Sequence, residues 1–194
     1  MKKIVLRDYI QQSFPSLINV VKNVTDGHSM NFYHWHPHYE ITIVTDGIYT
    51  VVNNGRVIEN RGAGVFIHCP YSLHNANAEP GHNYIRYVIS FDKRIREIFS
   101  DKFFDFSILN NSNLIYVYPN ASEQKELVST VEKLCSCGDN KLDSLYIALI
   151  LRYTLNILKS GRGEAVHNQF SYIQDVVRYV MENLSEPQTV ESLA

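Results

Sequence analysis

The chain has 194 residues, of which 45% are hydrophobic and 20% charged, a composition typical of one folded domain with a small appendage and not of a disordered chain. Its formal net charge is −2, from 18 Lys and Arg against 20 Asp and Glu, so it lacks the basic surplus that a DNA-binding domain usually carries. No signal peptide or membrane-spanning stretch stands out, and an odd number of cysteines, three, gives no disulfide framework, so we expect a cytoplasmic protein.

The first part of the chain, to about residue 92, has the pattern of short β-strands separated by tight turns. Residues 41–44 are β-branched throughout, and residues 84–91 are rich in aromatic and β-branched side chains. Asn54-Gly55 lies between two β-prone runs, which is a strong hairpin signal because a type I′ turn needs positive φ at both central positions. Short, closely spaced strands predict a sandwich or a barrel rather than βαβ units.

Beyond residue 92 the apolar period is mostly that of helices. A short helix from Asp92 to Phe99 and one more strand over 114–118 are predicted first. Asn120 and Glu123 then have the spacing of a capping box and predict the start of a longer helix. The apolar stripe of this helix consists of Leu127, Val128, Val131, Leu134 and Cys135. Gly138-Asp139-Asn140 is predicted to end it.

A second long helix is predicted from Leu142 to Lys159, with Gly161 as its C-cap. Its apolar residues lie around nearly the whole circumference, so it must be covered on more than one side. Either the helix lies between the barrel and the preceding helix, or one of its faces meets a second copy in a dimer, and both arrangements can hold together.

The end of the chain has the pattern of a linker followed by the start of another unit. Residues 160–164 are polar and glycine-rich, and a regular helical stripe follows from Phe170 to Leu184. Thr189 is a candidate cap for a further helix of which one turn is present, so we expect the sequence to be part of a longer protein. The predicted segments are a barrel domain over 1–92, a helical dimerisation and linker segment over 93–160, and the beginning of a further domain over 161–194.

A run of polar side chains near the start of the β-region could carry chemistry. His34, His36, His38 and Glu40 lie at alternate positions, which share one face of a strand, and imidazoles with a carboxylate suit a first-row metal ion. On a straight strand Glu40 would lie roughly 13 Å beyond His36. Both can therefore contact one ion only if the strand bends, and Pro37 is the expected place for the bend.

The spacing of this run resembles the first cupin motif: His34-x-His36, three residues, Glu40, six residues, Gly47. The resemblance implies a mixed β + α fold, in which a jelly-roll-like cupin double-stranded β-barrel is followed by an antiparallel helical pair.

Gly64, Pro70, His74 and Asn77 resemble the second cupin motif, although the interval from Pro70 to His74 is one residue shorter than usual and lacks the usual glycine. The resemblance implies that four side chains converge inside the barrel: His34, His36, Glu40 and His74. Such a set makes a divalent metal ion a possible cofactor. A metal-free, hydrogen-bonding pocket wall is the open alternative.

Three more side chains are candidates to line a ligand pocket, because sites for sugars or acids combine aromatic with a few polar groups: Tyr49, Arg86 and Tyr87. His38 is expected at the rim of the pocket. Four histidines have no partner spacing and are interpreted as ordinary: His28, His68, His82 and His167.

The order of barrel, helical pair, linker and the tail from Asn183 to Ala194 resembles an AraC/XylS-type transcriptional regulator. In that family the tail would begin the helix-turn-helix domain, whose recognition helices would lie beyond Ala194. The resemblance implies the ligand-sensing and dimerisation portion of a DNA-binding regulator, in which a small-molecule effector in the barrel controls the DNA-binding domain.

The implied partners are a small-molecule effector, a second copy of the chain, and operator DNA through the missing domain alone, with no membrane. No catalytic residue is implied.

The alternative function, motivated by the nearly complete set of metal ligands, is a metal-dependent cupin enzyme such as a dioxygenase or an isomerase. Sugars, organic acids, peptide fragments and metal ions are all compatible as effectors.

Overall fold

A computed structural model describes residues 18–30, 32–92, 94–95 and 107–167, together with positions 175, 176, 179, 180 and 183. The strands are β1 (Ile18–Ser29), β2 (Tyr39–Asp46), β3 (Ile48–Asn53), β4 (Arg56–Arg61), β5 (Gly64–His68), β6 (His74–Phe91), β7 (Ser112–Val117) and β8 (Gly163–His167). The helices are α1 (Ser107–Asn110), α2 (Ala121–Cys137) and α3 (Asn140–Lys159). Among the helices described, none has both the length and the apolar character that crossing a membrane requires.

The eight strands form one antiparallel sheet in the order β4-β3-β6-β2-β5-β7-β8, and β1 pairs with β6 off this path. β6 is 18 residues long and pairs with β3 over residues 74–78 and with β2 over 85–91. The sheet turns between β2 and β3 at Gly47, whose φ is +147°. A Cβ at this position would lie 2.8 Å from the ring of Tyr84, so the corner requires glycine.

An outer core lies between the sheet and helices α2 and α3. Ile41, Ile67 and Ile89 enter it from the strands, and Leu127 and Ile150 enter it from the two helices. Each of these side chains is fully buried, and such burial stabilises the fold by about 1.5 to 3 kcal/mol per side chain. The predicted pairing of a barrel with an antiparallel helical pair is therefore confirmed.

An inner core fills part of the barrel. Val44, Tyr49, Phe66, Tyr84 and Leu114 belong to it, and on β2, β5, β6 and β7 such residues alternate with residues of the outer core. This alternation means that the parity of a residue within its strand decides whether it faces the helices or the barrel interior.

The predicted β-hairpin joins β3 to β4. Asn54 and Gly55 have φ of +46° and +83°, and Asn53 pairs with Arg56 across the turn, as the type I′ prediction requires.

The predicted ends of both long helices are also confirmed. Asn120 accepts a hydrogen bond from the Glu123 amide while the Glu123 carboxylate accepts from the Asn120 amide, so both halves of the capping box are present. Gly138 ends α2 in the left-handed conformation, with φ of +71°. Gly161 follows α3 with φ of +79° and donates its amide to the Leu158 carbonyl.

The sheet extends beyond the expected boundaries of the barrel segment. The strand predicted over 114–118 is β7, which pairs with β5. Gly163 and Glu164 were expected in a linker, but they begin β8, which pairs with β7. A five-residue strand directly after a glycine turn has too little alternation to be recognised from its own residues. The three-segment division of the chain stays a prediction.

One expectation about the helix faces is wrong, and for α3 the structure shows which side the rest of the chain covers. Cys135 was placed in the apolar stripe of α2, but it is exposed. The outer surface of α3 carries three exposed leucines: Leu142, Leu145 and Leu149. Within the structure described here, α3 is therefore covered on the side that faces α2 and the sheet, and its leucine face is open to solvent.

Other predictions fall outside the described residues. These are most of the short helix ending at Phe99, and most of the stripe and tail beyond Phe170.

Candidate functional site

The chain bends sharply before β2, and the bend creates a cluster of polar side chains. The backbone bends at Pro37 and His38, and β2 begins at Tyr39. As a result, Nε2 of His36 lies 3.4 Å from Oε2 of Glu40, instead of the roughly 13 Å expected between their positions on a straight strand. The bend predicted at Pro37 is confirmed.

The second half of the cluster comes from the start of β6. His34 and His74 form an isolated β-bridge, with mutual N–H to carbonyl distances of 3.0 and 2.9 Å. The loop before His74 is held by the amide of Tyr71, which donates to the His36 carbonyl at 2.9 Å. Tyr71 adopts φ of +62°, a left-handed conformation that is unusual for a bulky residue. The shortened interval after Pro70 thus still brings His74 into the cluster.

The four predicted ligands converge. His34, His36, Glu40 and His74 each offer one nitrogen or oxygen atom, and these atoms all lie within 4.8 Å of one another. His38 is not part of this group: it stacks on His36, with ring centroids 3.9 Å apart.

Backbone carbonyls orient two of the imidazole rings. Nδ1 of His36 donates to the carbonyl of His38 at 2.8 Å, and Nδ1 of His74 donates to the carbonyl of Ser72 at 2.9 Å. Because a carbonyl oxygen only accepts, Nδ1 of each ring carries a proton, and Nε2 of each ring faces Glu40. This arrangement, with one nitrogen held by a backbone acceptor and the other free for a ligand, is typical of metal-binding histidines.

The charges of the cluster favour a cation. Burial lowers the pKa of His34, and it lowers the pKa of His74 well below 6.5. Burial opposes ionisation of Glu40, but the close approach of His36 and the nearby imidazoles of His74 and His68 hold its pKa well below 4.5. A half-buried carboxylate beside His34 and His74, whose lowered pKa values favour the neutral imidazole, is a donor set that can bind a divalent metal ion, so the residues fit the group that the resemblance implies.

A cavity of about 100 Å³ extends from the cluster into the barrel. The cluster supplies His34, Glu40 and His74 to its wall, and the rest of the lining is mixed apolar and polar: His28, Met30, Thr42, Val51, His68, Ala76, Tyr84, Arg86 and Val88.

Two histidines that the sequence interpretation treated as ordinary belong to this wall. His68 pairs with Glu40 across β2 and β5, and its Nδ1 lies 2.9 Å from the amide nitrogen of Asn53. Burial lowers the pKa of His68 to about 4. His28 lies on β1 beside Arg86. The register of β2 with β5 was the missing signal, because residues 64–68 are buried throughout and their pattern does not mark one face.

The three additional candidates have different positions. Arg86 lines the cavity, as predicted. Tyr87 faces the opposite side of β6 and donates its hydroxyl to Glu132 of α2 at 2.7 Å, so its assignment to the pocket is wrong. Adjacent residues on a strand point to opposite faces, and Arg86 and Tyr87 therefore could not both line the cavity.

Tyr49 also does not line this cavity. It is buried in the inner core and accepts a hydrogen bond from Asn60 at 2.6 Å. It borders instead a more open groove of about 680 Å³ near the start of β3, which Arg61 also lines. The ring of Tyr49 packs behind Tyr84, so the inner core separates it from the histidine cluster.

Comparison with known proteins gives a family match and a set of similar structures. Residues 22–133 match the model of the AraC-like ligand binding domain. No curated protein matches the sequence.

Two similar solved structures cover almost all of this chain. ToxT from Vibrio cholerae has 12% identity and a TM-score of 0.55, over 90% of this chain and 69% of its own. The AraC-like transcriptional activator CuxR has 14% identity and a TM-score of 0.56, over 92% of this chain and 65% of its own. The chain thus spans about two thirds of the length of these proteins, and at such identities the likeness establishes the fold alone.

Proposed function

This chain belongs to the family of AraC-like ligand-binding domains, and on that premise we propose that it is the effector-sensing and dimerisation portion of a transcriptional regulator. The observation that carries this proposal is the cavity inside the barrel, which combines apolar walls with a few convergent polar groups. A small molecule bound there would favour one packing of the barrel and helices over another and so bias an attached DNA-binding domain.

Ligand-bound relatives support the choice of a small-molecule effector. Structures of ToxT from Vibrio cholerae have been solved with an unsaturated fatty acid and with (E)-4-(8-methylnaphthalen-1-yl)but-3-enoic acid. Contacts to operator DNA, in our proposal, belong to a domain that this chain does not include.

A divalent metal ion is part of the proposal as an optional component of the pocket. His34, His36, Glu40 and His74 would hold it, and it would supply a positive centre able to bind an oxygen atom of an effector.

Dimerisation is proposed through the exposed leucine face of α3. Leu142, Leu145 and Leu149 recur at helical spacing and are 46, 52 and 45% exposed. A continuous stripe of leucines on a helix that already packs through its other side is typical of a helix–helix interface between subunits.

The second candidate function is a metal-dependent enzyme, and the convergence of the histidine cluster within 4.8 Å favours it. A ligand sensor and a metal-dependent enzyme differ in whether they turn over a substrate. Elemental analysis of the protein purified without added metal, followed by oxygen-consumption assays on any iron- or manganese-loaded sample, separates them, because a sensor shows no turnover at any metal content.

The proposed sensor role is tested by ligand binding to this chain. A thermal-shift screen over sugars, organic acids and metal ions should yield a saturable stabilisation by at least one compound. The stabilisation should disappear in Ala76→Phe, which fills the cavity, and persist in Ala121→Phe, which adds the same side chain to an exposed position on α2. A screen without a saturable compound, or one whose compound still stabilises Ala76→Phe, contradicts the proposal.

A further inference from the structure

Arg86 lies in the wall of the cavity, away from the histidine cluster. It pairs with Val44 of β2, whereas Glu40 of the same strand pairs with Ser90, so the two positions are four residues apart along the sheet. At ~3.3 Å per residue this separates their backbones by roughly 13 Å. The cavity therefore has a carboxylate and imidazoles in one region and a guanidinium in another.

The guanidinium of Arg86 lacks a counter-ion in the described part of the chain. Its Nη1 is buried and has no hydrogen-bond acceptor there, and no Asp or Glu oxygen lies within 4.0 Å. Its other contacts are with neutral groups: Nη2 lies 3.4 Å from Nδ1 of His28, the guanidinium carbon lies 4.6 Å from the ring centroid of Tyr84, and the guanidinium also interacts with the Tyr84 hydroxyl. A buried donor without an acceptor is costly, and it marks a place where a ligand atom would be stabilising.

The geometry of a guanidinium specifies the chemistry of that ligand. Its N–H groups form a planar fork that matches the two oxygens of a carboxylate. The guanidinium carbon of Arg86 lies 4.6 Å from the centroid of the Tyr84 ring, and this contact restricts the side chain and reduces the entropy that binding would cost.

The cavity volume limits the size of the ligand. A water molecule needs about 10 to 15 Å³ of such volume. The cavity of about 100 Å³ therefore accommodates roughly seven to ten non-hydrogen atoms. Val51, Ala76 and Val88 form the apolar part of the wall and suit an aliphatic body, so a long acyl chain does not fit.

We propose that the effector is a small carboxylic acid of roughly seven to ten non-hydrogen atoms, whose carboxylate is bound by the Arg86 fork and whose body lies against the apolar wall. This inference rests on the proposed sensor role and names the class of molecule that the sensor binds.

The test is calorimetric titration of this chain with straight and branched monocarboxylates from propanoate to octanoate, with their 2-oxo derivatives, and with hexadecanoate. For each acid that binds, the matching primary amide serves as a neutral ligand of the same size. We expect saturable binding of at least one short acid, binding of its amide roughly 10- to 100-fold weaker, and no binding of hexadecanoate.

Arginine variants locate the carboxylate. Arg86→Gln should weaken the acid roughly 10- to 100-fold and leave the amide unaffected, and Arg86→Lys should recover part of the loss. Arg61→Gln, an identical change at an arginine that lines the open groove near the start of β3, should leave both affinities unchanged.

Several outcomes overturn the assignment. These are the absence of binding by every short acid, equal binding of acid and amide, and loss of binding in Arg61→Gln but not in Arg86→Gln. The acid–amide comparison uses the unaltered chain and stays decisive if Arg86→Gln does not fold. A neutral ligand that Ala76→Phe excludes and Arg86→Gln tolerates overturns the Arg86 assignment but leaves the sensor role in place.

Discussion

At the scale of single residues, the orientation of the imidazole rings is set by the backbone around them. The carbonyls of His38 and Ser72 hold Nδ1 of His36 and His74, and the lone pairs of Nε2 then face Glu40. Thr42 donates its hydroxyl to Glu40 at 3.2 Å and helps to hold the carboxylate. The cluster is thus pre-organised by its neighbours for a cation.

Glu40 should decide the affinity of the cluster for a divalent ion. Glu40→Gln removes its one negative charge, so binding of Zn²⁺ or Mn²⁺ measured by calorimetry should weaken by at least roughly 10-fold. His82→Gln changes an exposed histidine on β6 and should leave the affinity unchanged. Equal metal binding by Glu40→Gln and the unaltered chain would exclude the cluster as the metal site.

Gly64 should be intolerant of a side chain. A Cβ there would collide with the hydroxyl of buried Tyr49 and lie 2.9 Å from the ring of Phe66. Gly64→Ala should therefore lower the free energy of unfolding by about 1 to 3 kcal/mol, measured in urea. Combining it with Tyr49→Phe, which removes the hydroxyl, should recover part of the loss. Additive losses in the double variant would contradict this account.

At the scale of elements, side-chain hydrogen bonds connect the start of α2 to the turn before β8 and to strand β2. Arg162, just after α3, donates to both carboxylate oxygens of Glu123 at 2.5 and 2.6 Å and so connects the helix start to the turn before β8. Gln124 donates to the carbonyl of Thr45 at 2.8 Å and connects the same helix start to β2. The capping box of α2 therefore also orients the helical pair on the barrel.

The Glu123 carboxylate should stabilise the fold only while it is ionised. The hydrogen bond from Arg162 holds the pKa of Glu123 below its ordinary 4.5. A carboxyl whose pKa is lower in the folded state contributes stability above its unfolded pKa and loses it as the pH falls through the folded value. Glu123→Gln should thus cost about 1 kcal/mol at pH 7.

The stability difference between Glu123→Gln and the unaltered chain should shrink as the pH falls below about 4.5, measured by urea unfolding across the pH range. Glu126→Gln, at an exposed position of the same helix, serves as the control and should have little effect at any pH. A difference that is constant from pH 7 to pH 4 would show that ionisation of Glu123 is not the source of its stabilisation.

At the scale of the whole molecule, the sheet has two different faces. The outer face is covered by α2 and α3, and the inner face is part apolar core and part polar cavity. Because both helices pack on the outside of the strands that line the cavity, a ligand that shifts those strands also shifts the surface on which the helices rest.

The leucine face of α3 should control association. Leu145→Glu places a charge in the middle of the stripe, so sedimentation equilibrium should show a dimer for the unaltered chain and a monomer for the variant. Leu73→Glu introduces the same change at a similarly exposed leucine that lies far along the chain from α3, and it should leave the dimer intact. A monomeric unaltered chain at high concentration would contradict the proposed interface.

The sequence by itself determined the features that depend on local chemistry. The Asn54-Gly55 hairpin, the capping box at Asn120 and the glycine ends of both long helices follow from backbone preferences of neighbouring residues. The spacing of His34, His36 and Glu40 allowed a shared site on condition of a bend at Pro37, and the resemblance to the cupin motifs implied the convergence with His74.

The tertiary structure alone decided which distant residues face one another. Strand register placed His68 opposite Glu40, turned Arg86 into the cavity and turned Tyr87 toward α2. It also added β8 to the sheet. Register depends on pairing between strands that are far apart in sequence, and a shift by one residue reverses every face, so no local pattern could fix these positions.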